Sequence, residues 1–200
     1  MNWVPYMSST PFAAVPLALL LGLSCGSIQA AEVFPLPCFY SASDSDEGLA
    51  DHANCARRDG DTVRLAPEHL KHLTFDTEGL AGLFIDGASY YVNPRGAALK
   101  VLTFDNGPDY FAEGLVRGWV GTRVGYFDKD FNTVIPARYD WGSPFANGVA
   151  EVCLGCRRGP ADGDGHWSMQ GGEWGTIDRR GKLIEPLRAP AKTLAPVLKP

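Results

Sequence analysis

The chain has 200 residues, with 18 Lys+Arg against 23 Asp+Glu, a formal net charge of −5, 45% apolar residues and 20% charged residues. Such a globular composition excludes wholesale disorder, and an acidic balance without a basic stripe excludes a dedicated nucleic-acid binder. The length suits one ordinary domain or a short repeat array.

Pro11 to Leu23, PFAAVPLALLLGL, is an apolar run of signal-peptide length, too short to span a bilayer comfortably. Small and polar residues follow it. Ile28 and Ala30 suit the −3 and −1 pockets of a signal peptidase, so residues 1–30 read as a signal peptide cleaved after Ala30. No Lys or Arg precedes the apolar run. A lipid anchor at Cys25 competes through Leu23-Ser24-Cys25, although Gly22 stands where Leu is usual. No second long apolar run exists. The mature chain is expected to lack a transmembrane segment and to be periplasmic or secreted.

Residues 31–78 read as an N-terminal cap over the first repeat, with Val63-Arg64-Leu65 as a short strand and Pro67 to Leu73 as a short helix. His69 and His72, three apart, read as surface residues of that helix. Without the leader, Cys38, Cys55, Cys153 and Cys156 remain, an even count that suggests disulfides in an exported protein. Local pairing is simplest: Cys38 with Cys55, and Cys153 with Cys156. The polar, acidic stretch between the first two has little core-forming power, and closing it stabilises the fold by roughly 3 kcal/mol on the loop-entropy model.

Three segments then align. Gly79 to Gly114, Asn93 to Asp128 and Phe104 to Tyr139 are each 35 positions, and Gly114 to Gly148 is 34. Each unit reads as a β-meander. Turns are expected at Asp86-Gly87, Asn93-Pro94-Arg95-Gly96, Gly121-Thr122, Asp128-Lys129-Asp130 and Asp178-Arg179-Arg180-Gly181, because these residue types favour turn geometry. Val, Ile and aromatic residues fill the strands between them.

Trp174-Gly175-Thr176-Ile177-Asp178, Gly181 and Pro186, preceded by Phe145-Ala146-Asn147-Gly148-Val149-Ala150, resemble the WG-repeat family of bacterial exported proteins. The resemblance covers about Gly79 to Pro186. It departs in unit two, which has Val124-Gly125-Tyr126 and carries Phe131 where the turn Gly is expected, and in unit one, which has Ser89-Tyr90-Tyr91. What the resemblance implies is a repetitive β architecture with a binding or scaffolding role, and it supplies no catalytic residues. The expected fold is therefore all-β: antiparallel β-meander repeats over 79–186, stacked in a short array behind the cap.

Unit three is longer than unit two. Thirty positions separate Gly148 from Asp178, against 14 between Gly114 and Asp128, so 16 residues are inserted. Aligned from Gly148, Cys156 falls opposite Thr122 at a hairpin tip, which makes 153–172 an elaborated loop on a regular scaffold, where function tends to sit. Its Cys153-Leu154-Gly155-Cys156 reads as a structural disulfide, half a zinc site or a redox pair. Should zinc bind, Cys153, Cys156 and His166 are the candidate ligands.

Residues 187–200, with Pro190, Pro196 and Pro200, read as a flexible tail. No Gly-x-Ser-x-Gly, His-Glu-x-x-His or phosphate loop is present. Asp105, Asp140 and Asp178 sit at repeat positions that suit turns. The expected function is a non-enzymatic binding or scaffolding module for a protein or envelope component, with no cofactor. Trp119, Tyr126, Trp141, Trp167 and Trp174 offer contact area, although core packing also accounts for aromatic residues of this kind. The alternative is a zinc-binding or thiol-active protein centred on Cys153 and Cys156.

Overall fold

The computed structural model describes residues 1, 32–163 and 167–189. Most of the expected signal peptide with Cys25, His166, and the tail from residue 190 lie outside the described residues. The chain divides into a unit Met1–Glu32 and a unit Val33–Pro200. The second holds every strand among the described residues, and the pairing is antiparallel throughout. The all-β expectation therefore holds. Among the described residues, no helix is long and apolar enough to cross a membrane.

The first six strands are β1 (Leu36–Ser41), β2 (Leu49–Asp59), β3 (Thr62–Leu65), β4 (Ala81–Ile85), β5 (Ala88–Val92) and β6 (Ala97–Lys100). They close into a barrel in the order β1-β2-β3-β6-β5-β4. Here the structure corrects the reading of residues 31–78 as a cap. Instead of covering the first repeat, β1–β3 complete it: Cys38 pairs with Ile85 and Val63 with Ala98, so the sheet closes on itself and neither side leaves an unpaired edge. The expected helix shrinks to one turn, α1 (Pro67–Leu70). The stretch between Cys38 and Cys55 is more structured than its polarity suggests. β2 alternates exposed and partly covered residues until Cys55 and Ala56 enter the core. Tyr40, Leu65, Leu83, Ile85, Tyr90 and Val92 fill the barrel, and the Cys38–Cys55 disulfide lies among them.

The hairpin joining β4 to β5 has Asp86 at φ 50° and Gly87 at φ 72°. Both central residues are left-handed, as the Asp-Gly pair predicts for this turn.

Next come a small hairpin, β7 (Thr103–Phe104) and β8 (Gly107–Pro108), and a three-stranded sheet of β9 (Val116–Val120), β10 (Arg123–Phe127) and β11 (Thr133–Tyr139). The last sheet joins β12 (Trp141–Gly142), β13 (Val149–Leu154), β16 (Glu173–Asp178) and β17 (Leu183–Arg188). The inserted loop forms its own hairpin, β14 (Arg157–Arg158) with β15 (Met169–Gln170).

Among the described residues the three expected meanders are β4-β5-β6, β9-β10-β11 and β13-β16-β17. They are chained together rather than isolated. Val101 bridges to Gly118, and β12 leaves the second meander to pair with the first strand of the third. Tyr126, Ile135, Tyr139, Phe145, Val152 and Ile177 share one core across the last two meanders.

Two local devices recur. The first is a side-chain oxygen that gathers backbone N–H groups at the second turn. Asn93 Oδ1 accepts from Arg95 and Ala97, Asp128 Oδ1 from Asp130 and Asn132, and Asp178 Oδ1 from Arg180 and Lys182. The last residue of each turn is left-handed: Gly96 at φ 78°, Phe131 at 66° and Gly181 at 77°. Phe131 adopts glycine's conformation there and offsets part of the strain by packing against the cluster of Leu99, Val101, Val116 and Phe127.

The second device is the Gly of the middle strand. A Cβ on Gly125 would lie 2.7 Å from the Ile135 carbonyl oxygen, and one on Gly175 would lie 2.6 Å from that of Glu185. At both places the register slips, so the neighbouring strand bulges against a bare Cα. The Gly of the Trp-Gly pair is there for this close approach.

Candidate functional site

A cleft of about 860 Å³ opens where the meanders meet the inserted loop. That volume lies in the range of small-ligand pockets. β9 supplies Trp119, β12 supplies Trp141, and β16 supplies Trp174, while Trp167 stands just before β15. Phe104 and Tyr110 come from the β7–β8 hairpin and its exit, with their rings edge to face at 5.0 Å.

Strand register brings the first two walls together. Trp141 and Trp174 each pair with Cys153 from opposite sides, so all three share one face of the sheet. The two indoles lean over the buried cysteine, with centroids 5.7 Å apart. Trp174 Nε1–H donates to the Gly171 carbonyl at 2.7 Å. Among the described residues, the Nε1–H groups of Trp119, Trp141 and Trp167 have no acceptor.

The charges at the cleft are mostly spoken for. Arg117 makes a two-pronged ion pair with Asp109: Nε to Oδ2 at 2.7 Å and Nη2 to Oδ1 at 2.6 Å. Its third prong, Nη1, donates to the Gly142 carbonyl at 2.9 Å. Asp109 is fully buried and Arg117 nearly so. A pair this deep needs such complete hydrogen bonding to offset desolvation. Arg123 donates to Asp140 Oδ1 at 2.5 Å, and Asp140 Oδ2 accepts from the Gly155 backbone N–H at 2.6 Å. Two charges remain uncommitted to an opposite charge among the described residues. The Arg158 guanidinium lies 3.9 Å above the Trp167 ring, and the Glu151 side chain is exposed.

The inserted loop leaves the sheet where the repeat alignment puts it. Gly155, at φ 72°, occupies the hairpin-tip position that Gly121, at φ 57°, holds in the second meander. Cys153 and Cys156 are joined by a disulfide across that tip, so the bridge fastens β13 to the start of β14 and with it one wall of the cleft. In the bonded form the two sulfurs offer no thiolate to a cation. Their expected co-ligand His166 lies outside the described residues. Among the described residues, no group of three or more His, Cys, Asp or Glu is placed to hold a metal ion.

Four of the five expected aromatic contacts, Trp119, Trp141, Trp167 and Trp174, come together in the cleft. Tyr126 does not. It is a core residue whose hydroxyl donates to the Ser143 carbonyl at 2.9 Å, and burial raises its pKa well above that of an ordinary phenol. Arg117, Glu151, Arg158 and Tyr110 carry no sequence signal, and Phe104 carries one only as a repeat landmark, because only the packing of distant strands makes them neighbours. Trp141-Gly142, a second Trp-Gly pair, was in plain sight. It does a different job from Trp174-Gly175: Gly142 makes room for the Tyr126 hydroxyl, which a Cβ would strike. His69 and His72 are less free than surface residues. Tyr40 Oη lies 2.8 Å from His69 Nδ1, and His72 Nδ1 lies 2.9 Å from Asp44.

No curated protein and no solved structure matches the chain. The model of the WG containing repeat family matches residues 125–155. The matched stretch runs from the bulge glycine of the second meander, through β11 and β12, to the hairpin tip of the third. A family repeat therefore straddles two sheets, which is how consecutive units come to share a core. The similarity to a WG containing repeat is thus carried by residues 125–155, one repeat's length of the chain.

Proposed function

We propose that the chain is an exported, non-enzymatic binding module of the bacterial envelope, periplasmic or secreted, that receives its partner in the four-tryptophan cleft. The observation that carries this reading is the convergence of Trp119, Trp141, Trp167 and Trp174 from separate elements onto one open concavity. Buried tryptophans would serve the core alone. Trp167 is 42% exposed beside equally open Phe104 and Tyr110, and large exposed aromatic rings on a rigid β frame are the usual anchors of recognition. The leader-like residues 1–30 and the two disulfides support export, since disulfides persist in oxidising compartments.

The non-enzymatic part of the reading draws its support from the two aspartates at the cleft, which are held in ion pairs rather than poised against a second titratable group. Asp140 is engaged by Arg123 and the Gly155 amide, and Asp109 by Arg117. That leaves no coupled acid and base among the described residues of the cleft.

The experiment is a pull-down from envelope extract with tagged mature protein, wild type beside Trp167→Ala. A component enriched by the wild type and lost by the variant is expected. Equal enrichment by both, or none, overturns the assignment of binding to the cleft. Amino-terminal sequencing of the protein recovered from the producing cell should begin at Ala31; an uncleaved chain in the cytoplasm overturns the export part.

A further inference from the structure

Resting on the reading of the cleft as a binding site, we infer that its ligand is a neutral oligosaccharide. The rings offer flat apolar surfaces, and the sugar ring is the common biological group with one apolar C–H face and a rim of hydroxyls. Such a ligand needs aromatic planes and hydrogen-bonding groups side by side. Both are present. The indole N–H groups of Trp119 and Trp141 are unaccepted among the described residues, and the Glu151 carboxylate can accept from two neighbouring hydroxyls at once. Arg158 covers one face of Trp167 at 3.9 Å, while the residue stays 42% exposed and so keeps surface for a ligand.

Charge narrows the class. Arg117 and Arg123 are neutralised by Asp109 and Asp140, and the remaining pair, Arg158 and Glu151, cancel. A cleft without net charge, on a chain of net charge −5, gains nothing from a polyanion, whose binding draws on an excess of Lys and Arg. An acyl chain would leave Glu151, Arg158 and the Ser168 hydroxyl facing hydrocarbon, at a cost for each desolvated group. A volume of about 860 Å³ in an open cleft suits a chain of several rings better than a monosaccharide. Two carboxylates line the cleft, but Asp140 is tied to Arg123 and the Gly155 amide and only Glu151 is uncommitted, where glycoside cleavage canonically uses two, so recovery of the sugar intact is the expected outcome.

The test is titration of the mature protein with chitotetraose and with cellotetraose, followed by intrinsic tryptophan fluorescence and calorimetry. The two sugars separate N-acetylated wall glycan from plain polysaccharide as the source. Saturable binding of at least one sugar is expected, weakened at least roughly tenfold in Trp167→Ala and in Glu151→Gln. Both side chains are exposed, so both variants should fold as the wild type does, which circular dichroism checks. Phe84→Ala, beside the barrel and away from the cleft, should bind as the wild type does, and the sugar should be recovered uncleaved. No saturation by either sugar up to about 10 mM overturns the inference, as does binding that survives both cleft variants. A proline-rich peptide or polygalacturonate that binds in their place, still sensitive to Trp167→Ala, also overturns it while leaving the cleft as a binding site. The envelope pull-down above decides that broader reading separately.

Discussion

Arg117 and Asp109 form the most heavily buried charge pair at the cleft, and breaking it is the sharpest test of how the modules are joined. Asp109 follows β8, Arg117 sits on β9, and the Gly142 carbonyl that takes the third guanidinium bond belongs to β12. The Arg117→Met variant keeps a long apolar stem but leaves a fully buried carboxylate without its cation. Removing one partner of such a pair costs about 3–5 kcal/mol, most of it the penalty of an uncompensated charge. For a domain of this length each kcal/mol moves the melting temperature by roughly 2–4 °C, so a fall of roughly 6–20 °C is expected. The double variant Arg117→Met/Asp109→Leu removes both charges and should recover most of that loss, since apolar replacements of buried pairs are often neutral. Urea unfolding of the oxidised protein reads both, with an unchanged slope confirming that the same surface is exposed. A single variant within about 1 kcal/mol of wild type, or a double variant as unstable as the two singles summed, refutes the account of a fully desolvated, charge-compensated junction.

Other outcomes follow from the same geometry. Gly175→Ala should destabilise by about 1–3 kcal/mol in urea unfolding, because its Cβ would stand 2.6 Å from the Glu185 carbonyl, and wild-type stability would disprove the bulge as the reason for that glycine. Cys38→Ser/Cys55→Ser should cost about 3 kcal/mol, the loop entropy for a separation of 17 residues. Natively purified protein should titrate no free thiol at Cys153 and Cys156 and carry no zinc, whereas stoichiometric zinc with both thiols reduced would restore the metal-site alternative. Acid should weaken the barrel through His69. Burial lowers its pKa below the ordinary histidine value, so the unfolded chain takes up the proton more readily. This contribution is fully present above the unfolded value of about 6.5 and is lost as pH falls through the lower folded value. His69→Gln should flatten stability against pH in that window, and an unchanged slope would remove His69 as the cause.

Short-range chemistry is legible in the order of the residues. Asp86-Gly87 announces its left-handed hairpin, Asn93, Asp128 and Asp178 collect the amides of their own turns, and a spacing of 35 marks units that turn out to be meanders. The hairpin tip at Gly155 and the departure of the inserted loop there follow from the same alignment. Each of these features is decided by residues within a few positions of one another, so sequence order alone contains them. The closure of β1 on β4 and β3 on β6, the Arg117–Asp109 pair and the meeting of Phe104 with Trp167 and Trp174 are of another kind. Alternation along a strand says which side chains must be covered, but many strands could do the covering. The choice among them belongs to the whole packed molecule, where edges must be paired and buried charges matched at once.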